Sequence, residues 1–254
     1  MDNWVLITGA TAGIGCELAK NFAAAHFNLA LVARDEARLK ALAAQLEAQH
    51  HIGTRVISKD LTASGAAAEV FAAARDVPIS VLVNNAGAGW QGPFVQGDLG
   101  RSLGMMHLNM DALVELTHLF VQPMLARKAG RILNVASTAS FQPGPFMNVY
   151  YASKAFVLSF STALAEELSG TGVTVTTLCP GPTGTEFFDR AGMKRGIRGL
   201  PEMTAEEVAR LGYGAVMAGK GIVIPGLTNR ALAILSRRLP LALTVKMVRR
   251  MNQV

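Results

Sequence analysis

The sequence predicts an α/β fold: a doubly wound, seven-stranded parallel sheet with helices on both faces, followed by a short, basic helical extension. Three observations predict it. Seven short, β-rich, mostly apolar runs alternate with longer amphipathic segments, as strands buried on both faces alternate with crossover helices. The first run leads straight into a glycine-rich turn and then a helix pattern. After the last run, the chain continues from Leu227 as two amphipathic stretches without a single Asp or Glu.

Taken in order, WVLIT (4–8), LALVA (29–33), TRVIS (54–58), ISVLVN (79–84), RILNVAS (131–137), VTVTTLC (173–179) and GIVIP (221–225) read as strands. Helical patterns lie between them at 13–25, 35–49, 64–75, about 101–128, 151–169 and 204–218. His50 and His51 end a solvated helix. Segment 186–203, rich in Gly, Phe and Arg and without a clear period, reads as a mobile loop or lid. The boundary of the catalytic domain falls at 226, with 227–254 as an extension.

Half of the 254 residues are hydrophobic, enough for one large core. No run is apolar for the ~18 residues a membrane span needs, and the N-terminus shows no signal-peptide pattern. The expected location is the cytoplasm. Cys16 and Cys179 make no disulfide framework. None of the five histidines has other ligands at metal spacing, so no metal site is expected. The net charge of +6 belongs to the tail: eight basic groups follow Val208, and the preceding residues sum to −2. No nucleic-acid recognition motif accompanies that charge.

The turn after the first strand reads Thr8-Gly9-Ala10-Thr11-Ala12-Gly13-Ile14-Gly15. Gly9 suits a tight turn, Gly13 a close backbone approach, and Gly15 the packing of helix on strand. The helix N-terminus offers N–H groups and a positive dipole to a pyrophosphate. At the end of the second strand an NAD site places an acid for the ribose 2′-OH. Here Ala33 holds that place and Arg34 follows. An arginine suits a 2′-phosphate, so NADP(H) is preferred over NAD(H). In the other reading, Arg34 is solvated at a helix start and Asp35 caps that helix.

With these residues in hand, the chain resembles the short-chain dehydrogenase/reductase family from about residue 3 to 226. The motifs that carry the resemblance stand in the family order: TGATAGIG (8–15), Asp60-Leu61, NNAG (84–87), Asn109, Ser137, YYASK (150–154) and PGPTGT (180–185). The resemblance implies a Rossmann fold and a Tyr-x-x-x-Lys catalytic pair, preceded by a serine thirteen residues upstream. Only Tyr150, four before Lys154, satisfies both; Tyr151 takes a variable position. Residues i and i+4 share a helix face, so phenol and ammonium can meet, and a nearby cation is expected to lower the tyrosine pKa. Ser137 would donate to the substrate oxygen, and Asn109 would hold a water that relays protons to Lys154. The resemblance also implies cofactor contacts at Gly9, Thr11, Gly13, Ile14 and Gly15. Asp60 and Leu61 would lie at the adenine, and Asn84, Ala86 and Gly87 at adenosine and ribose. Lys154 would reach the nicotinamide ribose, and Pro180, Gly181, Thr183 and Thr185 the nicotinamide and pyrophosphate. A homodimer or homotetramer through helices 101–128 and 151–169 is implied too.

The activity expected is NADPH-dependent reduction of a hydrophobic carbonyl compound to an alcohol, reversibly. An NAD-linked alcohol or hydroxysteroid oxidation and a dinucleotide sensor without turnover are the alternatives. Phe141, Pro143, Phe146, Met147, Phe187, Phe188 and Met193 are expected near the substrate, or else pack beneath the loop. In the tail, Leu227, Ala231, Ile234 and Leu235 oppose Arg230, Arg237 and Arg238, and Leu241, Val245 and Val248 oppose Lys246, Arg249, Arg250 and Gln253. Three readings stand: packing on its own domain or a twin subunit, peripheral contact with an anionic membrane, or attraction of an acidic carrier or phosphate-bearing substrate.

Overall fold

A computed structural model describes residues 3–192 and 202–253. The chain runs β1 (Trp4–Thr8), α1 (Gly13–Ala24), β2 (Asn28–Ala33), α2 (Glu36–His50), β3 (Thr54–Ser58), α3 (Ala66–Ala74) and β4 (Ile79–Asn84). It continues through α4 (Leu99–Met106), a π-turn (His107–Asp111), α5 (Ala112–Arg127), β5 (Gly130–Val135), a 3₁₀ turn (Thr138–Phe141), α6 (Asn148–Glu167) and β6 (Val173–Leu178). Then come β7 (Thr183–Gly184), α7 (Phe187–Ala191), β8 (Met203–Thr204), α8 (Ala205–Met217), β9 (Ile222–Val223), α9 (Leu227–Arg238) and α10 (Leu241–Asn252).

The seven expected strands form one parallel sheet in the order β3-β2-β1-β4-β5-β6-β9. Alternate residues of each strand serve opposite faces. Val5, Ile7, Leu29 and Leu31 pack with Leu18 and Phe22 of α1, Leu39 of α2 and Val208 of α8. Leu6, Ala30, Leu82 and Ile132 pack with Val70 of α3 and with Leu116, Phe120 and Met124 of α5. Burying a side chain of this size contributes about 1.5–3 kcal/mol, so packing of the two helix layers, rather than helix propensity, holds the helices on the sheet.

The ends differ from expectation in informative ways. The helix expected over 101–128 is broken by the π-turn, and the extra residue it inserts lets Asn109 turn inward, where it is buried. The last strand pairs over only two residues, Ile222 and Val223, at the sheet edge. Within the expected loop 186–203, α7 forms and Met203–Thr204 pairs with Thr183–Gly184; Met193 lies outside the described residues. His51 closes α2 in the left-handed conformation, as the solvated end of that helix.

The tail folds back onto its own chain. Asn229, Ala233, Thr244, Val248 and Asn252 are its buried residues. Val248 packs beside Met147 and Tyr151. For α9, however, the inward stripe is the small and polar one. Leu227, Ala231, Ile234 and Leu235, the apolar stripe of the sequence pattern, are exposed. Among the described residues, no helix is long and apolar enough to cross a membrane.

Candidate active site

Strand order reverses between β1 and β4, so the loops after these strands diverge and leave a crevice at the sheet's C-terminal edge. A cavity of about 860 Å³ occupies it. At its floor Thr8 accepts hydrogen bonds at Oγ1 from the Asn85 and Ala86 amides, both at 3.0 Å. Asn85 Nδ2 in turn donates to Thr8 O at 2.9 Å and Gly9 O at 3.2 Å. These bonds tie the glycine turn to the β4 loop. Gly9 has φ +66°, and a Cβ there would lie 2.9 Å from Asn85 Nδ2 and 3.0 Å from Ala86 Cα. Gly13 has φ +55°, and a Cβ there would meet Thr185 Cγ2 at 2.9 Å. Gly13 thus lets the 180–185 strip close on the turn. The first turn of α1 carries no side-chain cap, which leaves its N–H groups for an anion.

Thr11, Gly13, Ile14, Asp60, Leu61, Ala86 and Gly87 line the cavity as expected, and so do Pro180, Gly181, Thr183 and Thr185. Three expected contacts fall elsewhere. Asn84 is buried behind the cavity, donating to Thr117 Oγ1 at 3.0 Å and Asn134 Oδ1 at 2.9 Å. As the last residue of β4 it points into the helix layer, and its neighbour Asn85 reaches the cavity instead. Gly15 also lies off the cavity wall; a Cβ there would sit 2.4 Å from Gly9 O, which confines its role to packing. Asn109 stands behind Gly87. Its Nδ2 donates to Ala88 O at 3.0 Å and Ser153 Oγ at 2.9 Å, and its Oδ1 accepts from the Ala88 amide at 2.9 Å. The Asn109 side chain therefore fastens the β4 loop to α6.

Arg34 lines one end of the cavity, with its guanidinium 4.0 Å from Asp60. Asp35 caps α2 by accepting from the Arg38 amide at 3.0 Å. The cap on α2 therefore forms, and Arg34 lines the cavity beside Asp60. Arg38 and Lys59 line the same end, and Arg38 Nη1 reaches Glu186 Oε1 across the crevice at 3.2 Å. Sequence reasoning missed Arg38, which stands one helical turn beyond the strand end.

Near the middle of the cavity, Ser137 follows β5, and Tyr150 and Lys154 lie one turn apart on α6. Ser137 caps the following 3₁₀ turn by accepting from the Ala139 amide at 3.1 Å. Lys154 Nζ donates to Val135 O at 2.9 Å and sits 6.0 Å from the centre of the Tyr150 ring. Two serines not singled out by the sequence hold α6 in place: Ser153 Oγ donates to Tyr150 O at 2.8 Å, and Ser140 Oγ to Lys154 O at 2.7 Å. The expected lowering of the tyrosine pKa does not occur. Burial pushes Tyr150 up to about 12, with hydrogen bonding from Ser137 offsetting part of the rise. Burial also brings Lys154 down to about 8. Desolvation is the leading cause at both groups, and the ammonium donates to a backbone carbonyl.

The remaining end is largely apolar, although Arg101, Gln142 and Arg190 also line the cavity. Met105, Met147, Phe187, Phe188 and Met251 line it, with Tyr151 beside them. Phe141, Pro143 and Phe146 do not line this cavity. Phe141 and Pro143 border a separate shallow recess, and Phe146 lies under Arg249. The contribution of the tail was not foreseen. Asn252 Nδ2 donates to Pro145 O at 3.0 Å, its carbonyl accepts from Gln91 Nε2 at 2.7 Å, and its Oδ1 lies 3.5 Å from Tyr151 OH. These bonds set Met251 against the cavity.

A glycine turn at the switch point of a parallel sheet, together with a Ser–Tyr–Lys cluster in the adjoining crevice, defines the class: single-domain, dinucleotide-binding oxidoreductase folds. The chain belongs to the short chain dehydrogenase family, whose model matches residues 3–217. It is 37% identical over 221 residues to sulfoacetaldehyde reductase 2 of Chromohalobacter salexigens, covering 83% of this chain and 87% of that protein. It is 36% identical to the very-long-chain 3-oxoacyl-CoA reductase of Laccaria bicolor over 68% of this chain and 52% of the relative. The match thus spans about half the length of that curated relative. Among solved structures, a short-chain dehydrogenase from Sphingobium yanoikuyae in complex with NADPH superposes with a TM-score of 0.85 at 34% identity, covering 93% of each chain.

Proposed function

We propose that the chain reduces the carbonyl group of a hydrophobic ketone, aldehyde or 3-oxoacyl compound to an alcohol with NADPH, reversibly. The observation that carries this reading is the meeting of Ser137, Tyr150 and Lys154 between a glycine-cradled end and an apolar end of one cavity. The residues present fit a dinucleotide: side chains are excluded at Gly9 and Gly13, and the α1 N-terminus is uncapped. When bound, the nicotinamide supplies the hydride. The chain supplies the rest. Tyr150, protonated across the neutral range, donates its proton to the carbonyl oxygen. Ser137 Oγ hydrogen-bonds that same oxygen as charge develops on it. Lys154 places a positive charge beside the phenolate left behind, and Asn109 keeps the β4 loop and α6 in register. Arg34, Arg38 and Lys59 stand at the far end, paired with Asp60, Glu186 and Glu69 respectively; a 2′-phosphate would compete with these carboxylates for the two guanidinium groups, and this favours NADP(H) over NAD(H). Two relatives support the carbonyl reading by name, as reductases of a 3-oxoacyl-CoA and of sulfoacetaldehyde; the methionine and phenylalanine side chains of the lining favour the former class, whereas Arg101 and Arg190 on the same wall suit an anionic group.

Residues 1–226 then form the catalytic domain, with 227–254 as an appended element that completes the substrate end. Exposed Leu103, Met106 and Phe156 support assembly of identical chains through the helices around α5 and α6.

The test is NADPH oxidation against a panel of aryl ketones, aldehydes and 3-oxoacyl thioesters, alongside binding titrations of NADPH and NADH. Turnover with apolar carbonyls and tighter NADPH binding is expected. Equal catalytic efficiency with NADH would remove the arginine argument. Tight NADPH binding without turnover on any compound would favour a sensor.

A further inference from the structure

We propose that the outward face of α9 and α10 is a docking surface for an anionic lipid bilayer. Its starting point is an inversion. Amphipathic helices pack by their apolar stripe, yet α9 packs by Asn229, Ala233 and Ser236 and turns its apolar stripe outward. Leu227 is 87% exposed and Leu235 47%. In α10, Thr244 and Val248 are buried, whereas Leu241 is 66% exposed and Leu243 and Met247 are also open. Leaving this much aliphatic surface in water is unfavourable, at roughly 25 cal/mol per Å². A partner that removes it from water is therefore the natural complement.

Charge decides which partner. The exposed cations of these helices are Arg230, Arg237, Arg238, Lys246, Arg249 and Arg250, and no acidic residue follows Glu207. A twofold contact of this face with itself would set like charges against each other. A polyphosphate or acidic carrier would pair with the cations and leave the leucines uncovered. A bilayer with anionic headgroups satisfies both, because leucine, isoleucine and methionine enter the interface while arginines and lysines meet phosphate and carboxylate. On its inner side the same α10 carries Met251 into the cavity, so docking would hold the apolar end of the site beside the lipid.

The experiment is co-sedimentation of the full chain with vesicles of phosphatidylcholine alone and of phosphatidylcholine with phosphatidylserine, at low and high salt. It uses no turnover, so its failure is separate from failure of the reductase reading. Two exposed double variants accompany the wild type, each checked for unchanged thermal unfolding: L235D/L243D and R237Q/R238Q. Wild type should sediment with the anionic vesicles and be released by salt. Each variant should bind on the order of tenfold or more weakly. Absence of binding, equal binding to neutral vesicles, or variants that bind like wild type would overturn the proposal. So would light scattering that shows a wild-type oligomer dissociated by L235D/L243D, since a second copy would then cover the face.

Discussion

The two ends of the cavity are built by opposite means. The cofactor end is made of strand ends and the turns that follow them: Thr8, Gly9 and Gly13 after β1, Arg34 after β2, Asn85 and Ala86 after β4. Backbone hydrogen bonds and the absence of Cβ atoms shape it. The proposed substrate end is made of side chains on or beside α4, α6, α7 and α10, and one contact beside it joins residues 101 positions apart, Tyr151 and Asn252. One end is fixed by the sheet and tolerates little change. The other is an assembly of flexible methionines and aromatics, which can alter its shape while the chemistry between them stays put.

Substitutions should separate the two ends. The largest effect belongs to the junction: Lys154→Met should lower kcat/KM by about 10²–10⁴-fold, and a loss below tenfold in steady-state kinetics would place the proton chemistry elsewhere. At the cofactor end, Arg34→Ala with Arg38→Ala should weaken NADPH binding by about one to two orders of magnitude, the worth of charge-assisted hydrogen bonds. NADH binding should hardly change, and titration by cofactor fluorescence would show it. The pH profile follows from burial. Lys154 carries its proton below about 8 and loses it above, whereas Tyr150, raised to about 12, keeps its proton throughout. The kcat/KM for reduction should therefore fall as pH rises through about 8, and a profile flat to pH 10 would contradict the role of the cation. The smallest effect belongs to the substrate end: Asn252→Ala should raise KM for bulky carbonyls a few-fold, about 1 kcal/mol, and leave NADPH affinity unchanged. A loss of cofactor binding in that variant would erase the distinction between the ends.

The same contrast governs what the sequence reveals. Patterns that act over a few residues were legible: the alternation of strands and helices, the glycine spacing of the first turn, and the four-residue step from Tyr150 to Lys154. Asn84 and Asn85 show where such reading loses resolution, because a shift of one residue in a strand reverses the side chain's face. The hydrophobic pattern of α9 located a helix and its stripe, but periodicity carries no sign, and the stripe faces out. The pKa of Tyr150 depended first on its burial, which spacing alone does not give. Met251 and Asn252 were invisible because only the path of the tail brings them to the site.

The central claim is that Tyr150, not its neighbour, is the acid of this site. It is tested by NADPH oxidation with an apolar ketone for wild type, Tyr150→Phe and Tyr151→Phe, with NADPH affinity measured for each. The expected result is unchanged NADPH affinity in all three, a loss of about 10³-fold in kcat for Tyr150→Phe, and activity within a few-fold of wild type for Tyr151→Phe. Turnover retained by Tyr150→Phe and lost by Tyr151→Phe would contradict it.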